Sequence, residues 1–175
     1  MTVADEAATP RAARRAHWAL FVGLAGIVIV LDQLTKAWLQ ANFEPGQLVE
    51  VVGDWVRLVF GQNSGALFGL FRDQALLFGL ASLGVVGLIV AYHARAGRSL
   101  YLSISLGLLL GGAIGNLVDR LRLGYVVDFV DIGIGTLRFY TFNVADSAIS
   151  AAIVLLLAVA VVPSLARIVD ARFDG

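Results

Sequence analysis

Cysteine is absent from the chain, and histidine is nearly so. The lack of cysteine excludes disulfides, thiolate metal sites and a cysteine nucleophile, and the chain cannot itself be a lipoprotein modified on cysteine. The two histidines, His17 and His93, both stand next to positively charged residues at the ends of apolar segments. A metal site or a catalytic triad built on histidine is therefore not expected.

Charged residues are also scarce, at 15% of the 175 residues. Hydrophobic residues make up 59% of the chain and the mean hydropathy is +0.84, which is too apolar for a soluble domain of this size. The composition predicts an integral membrane protein. The formal net charge is zero, so nucleic acid is not expected as a partner.

Four apolar segments have about the 20 residues that a hydrocarbon core of roughly 30 Å requires of a helix. The first resembles part of a signal peptide, but it continues into Asp32 and Lys36 without a small-residue cleavage site, which favours a retained span. We predict one integral membrane domain with a tail at residues 1–16 and outer segments at 41–74 and 121–143. The predicted spans cover about residues 17–40, 75–92, 99–120 and 144–166.

Arginines cluster on one side of the four predicted spans. They are Arg11, Arg14, Arg15, Arg95, Arg98, Arg167 and Arg172. By the positive-inside rule this side, with both termini, is cytoplasmic. The bias is modest, because five other arginines fall on the opposite side. The polar ends of spans one, three and four are then expected to meet at the outer face.

The two outer segments carry strand signals. Residues 48–52 and 55–60 flank Gly53 and Asp54 and predict a β-hairpin, and residues 125–131 and 137–142 predict a second extended pair. Aromatic residues in both segments fit an interfacial belt, which alone indicates no ligand. The expected fold is membrane α-helical, with four transmembrane helices, a small extracytoplasmic β-hairpin or β-sheet platform between spans 1 and 2, and a second outer loop between spans 3 and 4.

The third span ends in a polar strip that reaches Asp131. Gly107, Gly111 and Gly115 recur every four residues in this span, a pattern that lets helix backbones approach closely. Asn116, Asp119 and Arg120 extend one helix face by steps of three and four residues. Ionisable groups are costly at this depth, so they are either interfacial charges or parts of a functional site.

Aspartates are the best catalytic candidates. Asp119, Asp128 and Asp146 lie closest to spans three and four, whereas Ser64 and Ser147 have no histidine on the same face. Two aspartates held close together cannot both ionise cheaply, so one keeps a proton and the pair supplies an acid and a base at one pH. Such a pair can activate water for attack on a peptide carbonyl.

The residues alone leave ordinary explanations open, because charges are common at helix ends. A Ser–Lys arrangement that uses Lys36 is a weaker catalytic alternative. The structural alternatives are an Asp32–Lys36 ion pair with Lys36 snorkelling to the headgroups, an Asp119–Arg122 pair, a water-facing Asp128, and Asp146 as a first-turn acid behind an N-cap Asn143.

Five motifs, in order along the chain, resemble those of the lipoprotein signal peptidase family, bacterial signal peptidase II. They lie at the matching ends of the matching spans, from the first span to the fourth. The motifs are Asp32-Gln-Leu-Thr-Lys36, Asn63-Ser-Gly-Ala-Leu-Phe68, Gly111-Gly-Ala-Ile-Gly-Asn-Leu-Val-Asp-Arg120, Gly124-Tyr-Val-Val-Asp-Phe129 and Phe142-Asn-Val-Ala-Asp-Ser147.

This resemblance implies an intramembrane aspartic endopeptidase of the bacterial inner membrane. Its substrate would be a diacylglyceryl-modified prolipoprotein, cut on the N-terminal side of the lipidated cysteine, and Asp128 and Asp146 would be the catalytic dyad. Globomycin-type cyclic peptides would bind in the site, membrane lipid would surround it, and no metal or organic cofactor is implied. The residues that would bind substrate or support the site are Asn63, Gly65, Asn116, Arg120, Asn143, Asp32, Lys36 and Asp119.

Two other classes of function compete with this one. A proton- or ion-coupled transporter would use Asp32, Asp119, Asp128 and Asp146 as a relay, but all four acids sit at one end of the spans, where a relay across the bilayer would be incomplete. A noncatalytic scaffold would use the glycine-rich third span for assembly. The sequence gives no oligomeric state.

Overall fold

The computed structural model describes residues 10–64, 75–96, 99–165 and 167. Four helices in this part of the chain are long and apolar enough to cross a membrane. Segments between the helices form a small four-stranded sheet. The elements are α1 (Pro10–Asn42), β1 (Leu48–Val52), β2 (Val56–Asn63), α2 (Ala75–Ala96), α3 (Leu100–Leu123), β3 (Val126–Ile134), β4 (Leu137–Arg138) and α4 (Val144–Val161).

Helix α3 is the centre of the bundle and packs against each of the other three helices. In its most apolar stretch 67% of the residues are buried, whereas the share is 17–22% in the corresponding stretches of α1, α2 and α4. The helix begins where the Ser99 side chain accepts a hydrogen bond from the Leu102 amide, and it ends where Gly124 takes the left-handed conformation at φ 78°. The helix that carries the polar strip is therefore the most enclosed one.

Glycines let α3 approach its neighbours on two sides. A Cβ atom at Gly111 would lie 2.6 Å from Cβ of Val28 in α1. A Cβ atom at Gly112 would lie 2.5 Å from the carbonyl oxygen of Ala145 in α4. The predicted four-residue glycine pattern thus accounts for the contact with α1. Gly112, which allows the closest approach to α4, lies outside that pattern.

The strands form one antiparallel sheet in the order β1-β2-β3-β4. The predicted hairpin around Gly53 is confirmed as β1 and β2. The second extended pair is shorter than expected, because β4 contains only two residues and Phe142 reaches Val130 of β3 through an isolated bridge. The two outer segments are not separate, since β3 pairs with β2 along most of its length.

An ion-pair cluster ties the sheet together beside its turns. The Asp131 carboxylate on β3 is 3.2 Å from Nε of Arg57 on β2 and 3.0 Å from Nε of Arg138 on β4. Both arginines also reach Asp54 in the β1–β2 turn. All but Asp54 are largely buried, so these pairs are less screened by solvent than ordinary surface pairs.

The sheet packs onto the end of the helix bundle through an apolar cluster. Leu39 near the end of α1 and Val127 on β3 are fully buried there, together with Phe60 of β2 and Phe129 of β3. This packing holds β3 directly over the polar end of α3. The functional site lies at this junction between sheet and bundle.

We expect Gly112→Ala to destabilise the protein by about 1–3 kcal/mol, the usual cost of inserting a methyl group into a tightly packed interface. The new Cβ would clash with the Ala145 carbonyl and with Ile149. Gly84→Ala on α2 is the matched control, because nothing lies within 4 Å of its Cβ position. Melting temperatures in detergent measure both variants. Equal temperatures for the two would contradict the close packing of α3 and α4.

Candidate active site

Asp128 and Asp146 approach each other from different kinds of element. Asp128 lies near the start of β3, opposite Gly61 of β2, and only 4% of it is exposed. A Cβ atom at Gly61 would lie 3.1 Å from the Asp128 carbonyl oxygen, so glycine suits this close pairing of the strands. Asp146 is half-buried in the first turn of α4. A strand and a helix N-terminus therefore present the two carboxyl groups.

Asn143, the N-cap of α4, contacts both aspartates. Its Nδ2 donates to Oδ1 of Asp128 at 2.8 Å, and its Oδ1 accepts from the Asp146 amide at 2.8 Å. The Asn143 amide in turn donates to Oδ2 of Asp146 at 3.2 Å, which completes a capping box. The structural alternative, with Asn143 as the N-cap and Asp146 as a first-turn acid, therefore describes the start of α4 correctly. It does not compete with a functional role, because the same side chain also holds Asp128.

The remaining oxygen of each carboxyl group has its own amide donor. Asn63 at the end of β2 donates to Oδ2 of Asp128 at 3.0 Å. Asn116 on α3 donates to Oδ1 of Asp146 at 2.8 Å. All four carboxyl oxygens therefore accept hydrogen bonds from three asparagines, and the structure brings together these three predicted site residues.

Burial, together with the nearby negative charge of Asp146, raises the pKa of Asp128 to about 7. Hydrogen bonds from Asn63 and Asn143 and the positive charge of Lys36 oppose this shift only in part. A carboxylic acid with a pKa near neutrality can hold a proton and release it at physiological pH. The alternative in which Asp128 simply faces water is wrong, because its side chain is buried.

A second layer of charge lies beneath the aspartate pair. Nζ of Lys36 is 2.8 Å from carboxylate oxygens of both Asp32 and Asp119. Lys36 is only 2% exposed, so it does not snorkel to the headgroups. Asp119 pairs with Lys36, which replaces the alternative pairing with Arg122.

The two acids of this layer also hold the backbone beside each aspartate of the pair. Asp32 Oδ1 accepts from the Ala145 amide at 2.9 Å. Asp119 Oδ2 accepts from the Val127 amide at 3.1 Å. Ala145 precedes Asp146 and Val127 precedes Asp128 in the chain. The predicted supporting residues Asp32 and Asp119 are therefore hydrogen-bonded to the segments that carry the pair, and Lys36 links the two acids to each other.

Sequence reasoning missed Gln33. Its Nε2 donates to Oδ1 of Asp119 at 3.0 Å and to the Gly115 carbonyl at 3.2 Å. The first of these bonds gives Oδ1 of the buried Asp119 carboxylate a donor, which avoids the cost of leaving a buried acceptor unpaired. The only signal in the sequence was its position next to Asp32.

The structure describes one of the two remaining predicted site residues, Arg120, but not the other, Gly65. Arg120 donates to the Asn116 carbonyl at 3.3 Å, and its positive charge is felt by Asp146, Asp128 and Asp119. Arg120 thus lies beside the aspartate pair, and its role in binding substrate stays a prediction. Gly65, and most of the loop from Asn63 to Phe71, lies outside the described residues.

A cavity of about 250 Å³ opens beside Asp146. Three aromatic residues and two serines complete its lining: Phe139, Tyr140, Phe142, Ser147 and Ser150. The Ser147 hydroxyl donates to the Asn143 carbonyl at 2.9 Å, so its proton is committed to the helix cap. Within the described ranges, no group of three or more histidine or acidic residues is arranged to hold a metal ion.

A carboxyl pair at the end of a membrane helix bundle, with one member buried and the other beside an apolar cavity, is the arrangement expected of a membrane-embedded hydrolase of the aspartic type. The family model described as signal peptidase (SPase) II matches residues 24–162. The chain belongs to the signal peptidase II family. It is a multi-pass membrane protease that processes prolipoproteins, and the transporter alternative has no support.

Related proteins agree with this assignment. The chain is 40% identical over 137 residues to the lipoprotein signal peptidase of Moorella thermoacetica, covering 78% of this chain and 89% of that protein. It is 42% identical over 153 residues to that of Caulobacter vibrioides, covering 82% and 86%. A solved structure described as a bacterial membrane enzyme is similar with a TM-score of 0.77 at 27% identity, covering 82% of this chain and 88% of that one.

We expect the stability of the wild type to fall as pH rises from 3.8 to about 7, the ordinary and the folded pKa of Asp128. Because the folded state binds this proton more tightly than the unfolded state, raising the pH through the interval removes stability. Asp128→Asn cannot lose a proton there. Its melting temperature in detergent should therefore increase relative to wild type across the interval and then level off. Gly84→Ala is the control, and a similar trend in it would contradict the assignment.

Proposed function

We propose that Asp128 and Asp146 are the catalytic dyad that cuts the signal peptide from prolipoproteins. The observation that carries the proposal is Asn143, whose amide group bonds both residues through 2.8 Å contacts. The side-chain amide of Asn143 donates to the Asp128 carboxyl group and its backbone amide donates to the Asp146 carboxyl group at 3.2 Å, so one residue keeps the two carboxyl groups close and limits their rotation. Two such groups, one protonated and one ionised, supply the acid and the base that hydrolysis of a peptide bond requires.

We further propose that the substrate carries a diacylglyceryl group on the cysteine that follows the scissile bond. The aromatic cavity beside Asp146 supports this proposal, because Phe139, Tyr140 and Phe142 offer an apolar surface to acyl chains at the end of the bundle. The substrate signal peptide is itself an apolar helix and can reach this cavity sideways from membrane lipid. Asn63, Gly65, Asn116 and Arg120 would bind the backbone around the scissile bond.

The platform of four strands would lie at the membrane surface and limit the access of water to the dyad. Large apolar side chains point out of it, with Trp55 65% and Leu137 83% exposed. Such exposure fits contact with lipid or with the lipid group of the substrate. Globomycin-type cyclic peptides are expected to compete with substrate at the same cavity.

We infer that the site lies on the outer face of the bacterial inner membrane, in one integral membrane domain, because a signal peptide is cleaved where it emerges at that face. Arg11, Arg14 and Arg15 support this orientation, because they cluster at the start of α1, while the aspartates Asp32 and Asp119 lie toward the other end of the bundle. Both termini are then cytoplasmic.

We expect Asp128→Asn and Asp146→Asn each to lower kcat/KM by roughly 10²–10⁴-fold or more, the typical contribution of acid–base catalysis. Each variant keeps an amide of the same shape and should remain folded. Purified protein is incubated with a diacylglyceryl prolipoprotein, and the shorter product is followed on a gel. Glu50→Gln on exposed β1 is the matched control. Normal cleavage by either aspartate variant would remove that residue from the dyad.

Lipid recognition is tested with the wild-type enzyme and two forms of one substrate. We expect rapid cleavage of the lipidated form and little cleavage of the unlipidated form. A globomycin-type peptide should inhibit with competitive kinetics. Equal cleavage of both forms would reject the role of the lipid group while leaving the dyad intact.

Orientation can be tested with single cysteines, because the chain has none of its own. We expect Glu50→Cys on the platform to react with a membrane-impermeant maleimide in intact spheroplasts. Arg15→Cys at the start of α1 should react only after the membrane is permeabilised. Both positions are exposed. The reverse pattern of labelling would place the site on the cytoplasmic face.

A further inference from the structure

Lys36 fixes the orientation of the amide that holds Asp146. Its ammonium group donates to Oδ1 of Asn116 at 3.1 Å, and Nδ2 of Asn143 donates to the same oxygen at 3.1 Å. An ammonium group has donors only, so the atom that faces it must be the amide oxygen. The Nδ2 end of Asn116 is thereby turned toward Asp146, to which it donates at 2.8 Å.

The environments of the two aspartates are not equivalent. Asp146 accepts from this polarised Asn116 amide and from the Asn143 backbone at the N-terminus of α4. The helix dipole favours negative charge at that position. Asp128 lies on a strand and is almost fully buried, and within the part of the chain that the structure describes its carboxyl group accepts from the neutral side-chain amides of Asn63 and Asn143. Burial without a helix N-terminus favours the neutral acid.

We propose that Lys36 is a positioning residue that sets the charge distribution of the dyad, holding Asp146 as the resting anion and base and leaving Asp128 as the resting acid. The inference rests on the proposed function and adds the separate role of each aspartate. A pKa near 7 for Asp128 agrees with it, since such an acid is mostly protonated below neutral pH.

Other charged groups face the dyad and limit what Lys36 can do by charge alone. They are Asp32 on α1, Asp119 and Arg120 on α3, and the second aspartate of the dyad itself. Asp32 and Asp119 already occupy two contacts of the Lys36 ammonium group, which partly neutralises its charge. Its remaining contact goes to Asn116. Lys36 therefore acts on the dyad through the orientation of that amide as well as through its charge.

The assignment gives each proton a path. The Asp146 carboxylate takes a proton from water as the water oxygen bonds to the scissile carbonyl carbon, and Asp128 gives its proton to the carbonyl oxygen. The product of this step is a neutral gem-diol. As the C–N bond breaks, Asp146 gives its proton to the leaving nitrogen, and Asp128 recovers a proton from a gem-diol hydroxyl. The new carboxylic acid and amine leave, and the dyad returns to its resting state.

Infrared spectroscopy of the full-length protein locates the resting proton without altering Lys36. The protein is held in an ester-free detergent, at a pH below the pKa of Asp128 but above that of ordinary carboxyl groups. We expect a protonated-carboxyl band in the wild type, its retention in Asp146→Asn and its loss in Asp128→Asn. The opposite pattern, a band retained in both variants, or no band in the wild type would overturn the assignment.

The role of Lys36 itself can be tested by chemical rescue, because the chain has no cysteine and Lys36 is its only lysine. We expect Lys36→Cys to lower kcat by roughly 10- to 100-fold with little change in KM, a part of what acid–base catalysis typically contributes. Alkylation with 2-bromoethylamine rebuilds a lysine-like cation at this position and should restore kcat. Alkylation with 1-bromopropane gives a neutral group of similar shape and should not.

Recovery with the propyl group would show that Lys36 only fills space, and failure of the aminoethyl group in a folded protein would also overturn its role. If Lys36→Cys does not fold, the infrared comparison still tests the assignment. Failure of this inference is distinguishable from failure of the proposed function. If both aspartate variants stop cleavage but the band pattern is reversed, the dyad stands and only the division of roles is wrong.

Discussion

The buried contact of Lys36 with Asp32 and Asp119 is the interaction on which the site depends. It joins α1 to α3 through two contacts of 2.8 Å. The same carboxylates hold the amides of Ala145 and Val127, so the cluster also fixes the start of α4 and of β3. Removing one partner of a buried ion pair typically costs about 3–5 kcal/mol, because the other charge is left uncompensated. Four elements thus meet at one strongly constrained point.

This constraint explains why the central helix is rich in both glycine and polar residues. The carboxylate of Asp32 can lie against α3 only because residue 115 has no side chain, since a Cβ there would be 2.7 Å from Oδ2 of Asp32. Gly112 admits the α4 backbone one turn earlier in the same way. Close backbone approach brings the charged groups within hydrogen-bonding distance, and the hydrogen bonds offset the cost of burying them.

Features encoded by local periodicity could be predicted from the sequence. The four spans follow from apolar segments of sufficient length, and the first hairpin follows from its Gly-Asp turn. The motif resemblance placed Asn63, Asn116 and Asn143 near Asp128 and Asp146, and the structure brings these five residues together. What catalytic work they perform is still a proposal.

Features that depend on long-range pairing could not be predicted in this way. The β2–β3 pairing joins segments about 70 residues apart, and no local pattern specifies which strands of two separate loops will meet. The burial of Lys36 was missed as well, because a lysine near a helix end is compatible with snorkelling until its partners on another helix are known. Gln33 illustrates the same limit, since its role is defined by Asp119 on a different helix.

The asymmetry of the aspartate pair arises from the kinds of element that carry it. A carboxylate in the first turn of a helix gains from the free backbone amides and the dipole of that helix, whereas a strand offers neither. Placing one aspartate on α4 and the other on β3 therefore separates their preferred charge states even though they share Asn143. A pair mounted on two strands would need some other source of asymmetry. Here the placement of Asp146 on a helix and of Asp128 on a strand supplies the asymmetry. Lys36 reinforces it by fixing the orientation of the Asn116 amide, which donates to Asp146 on α4.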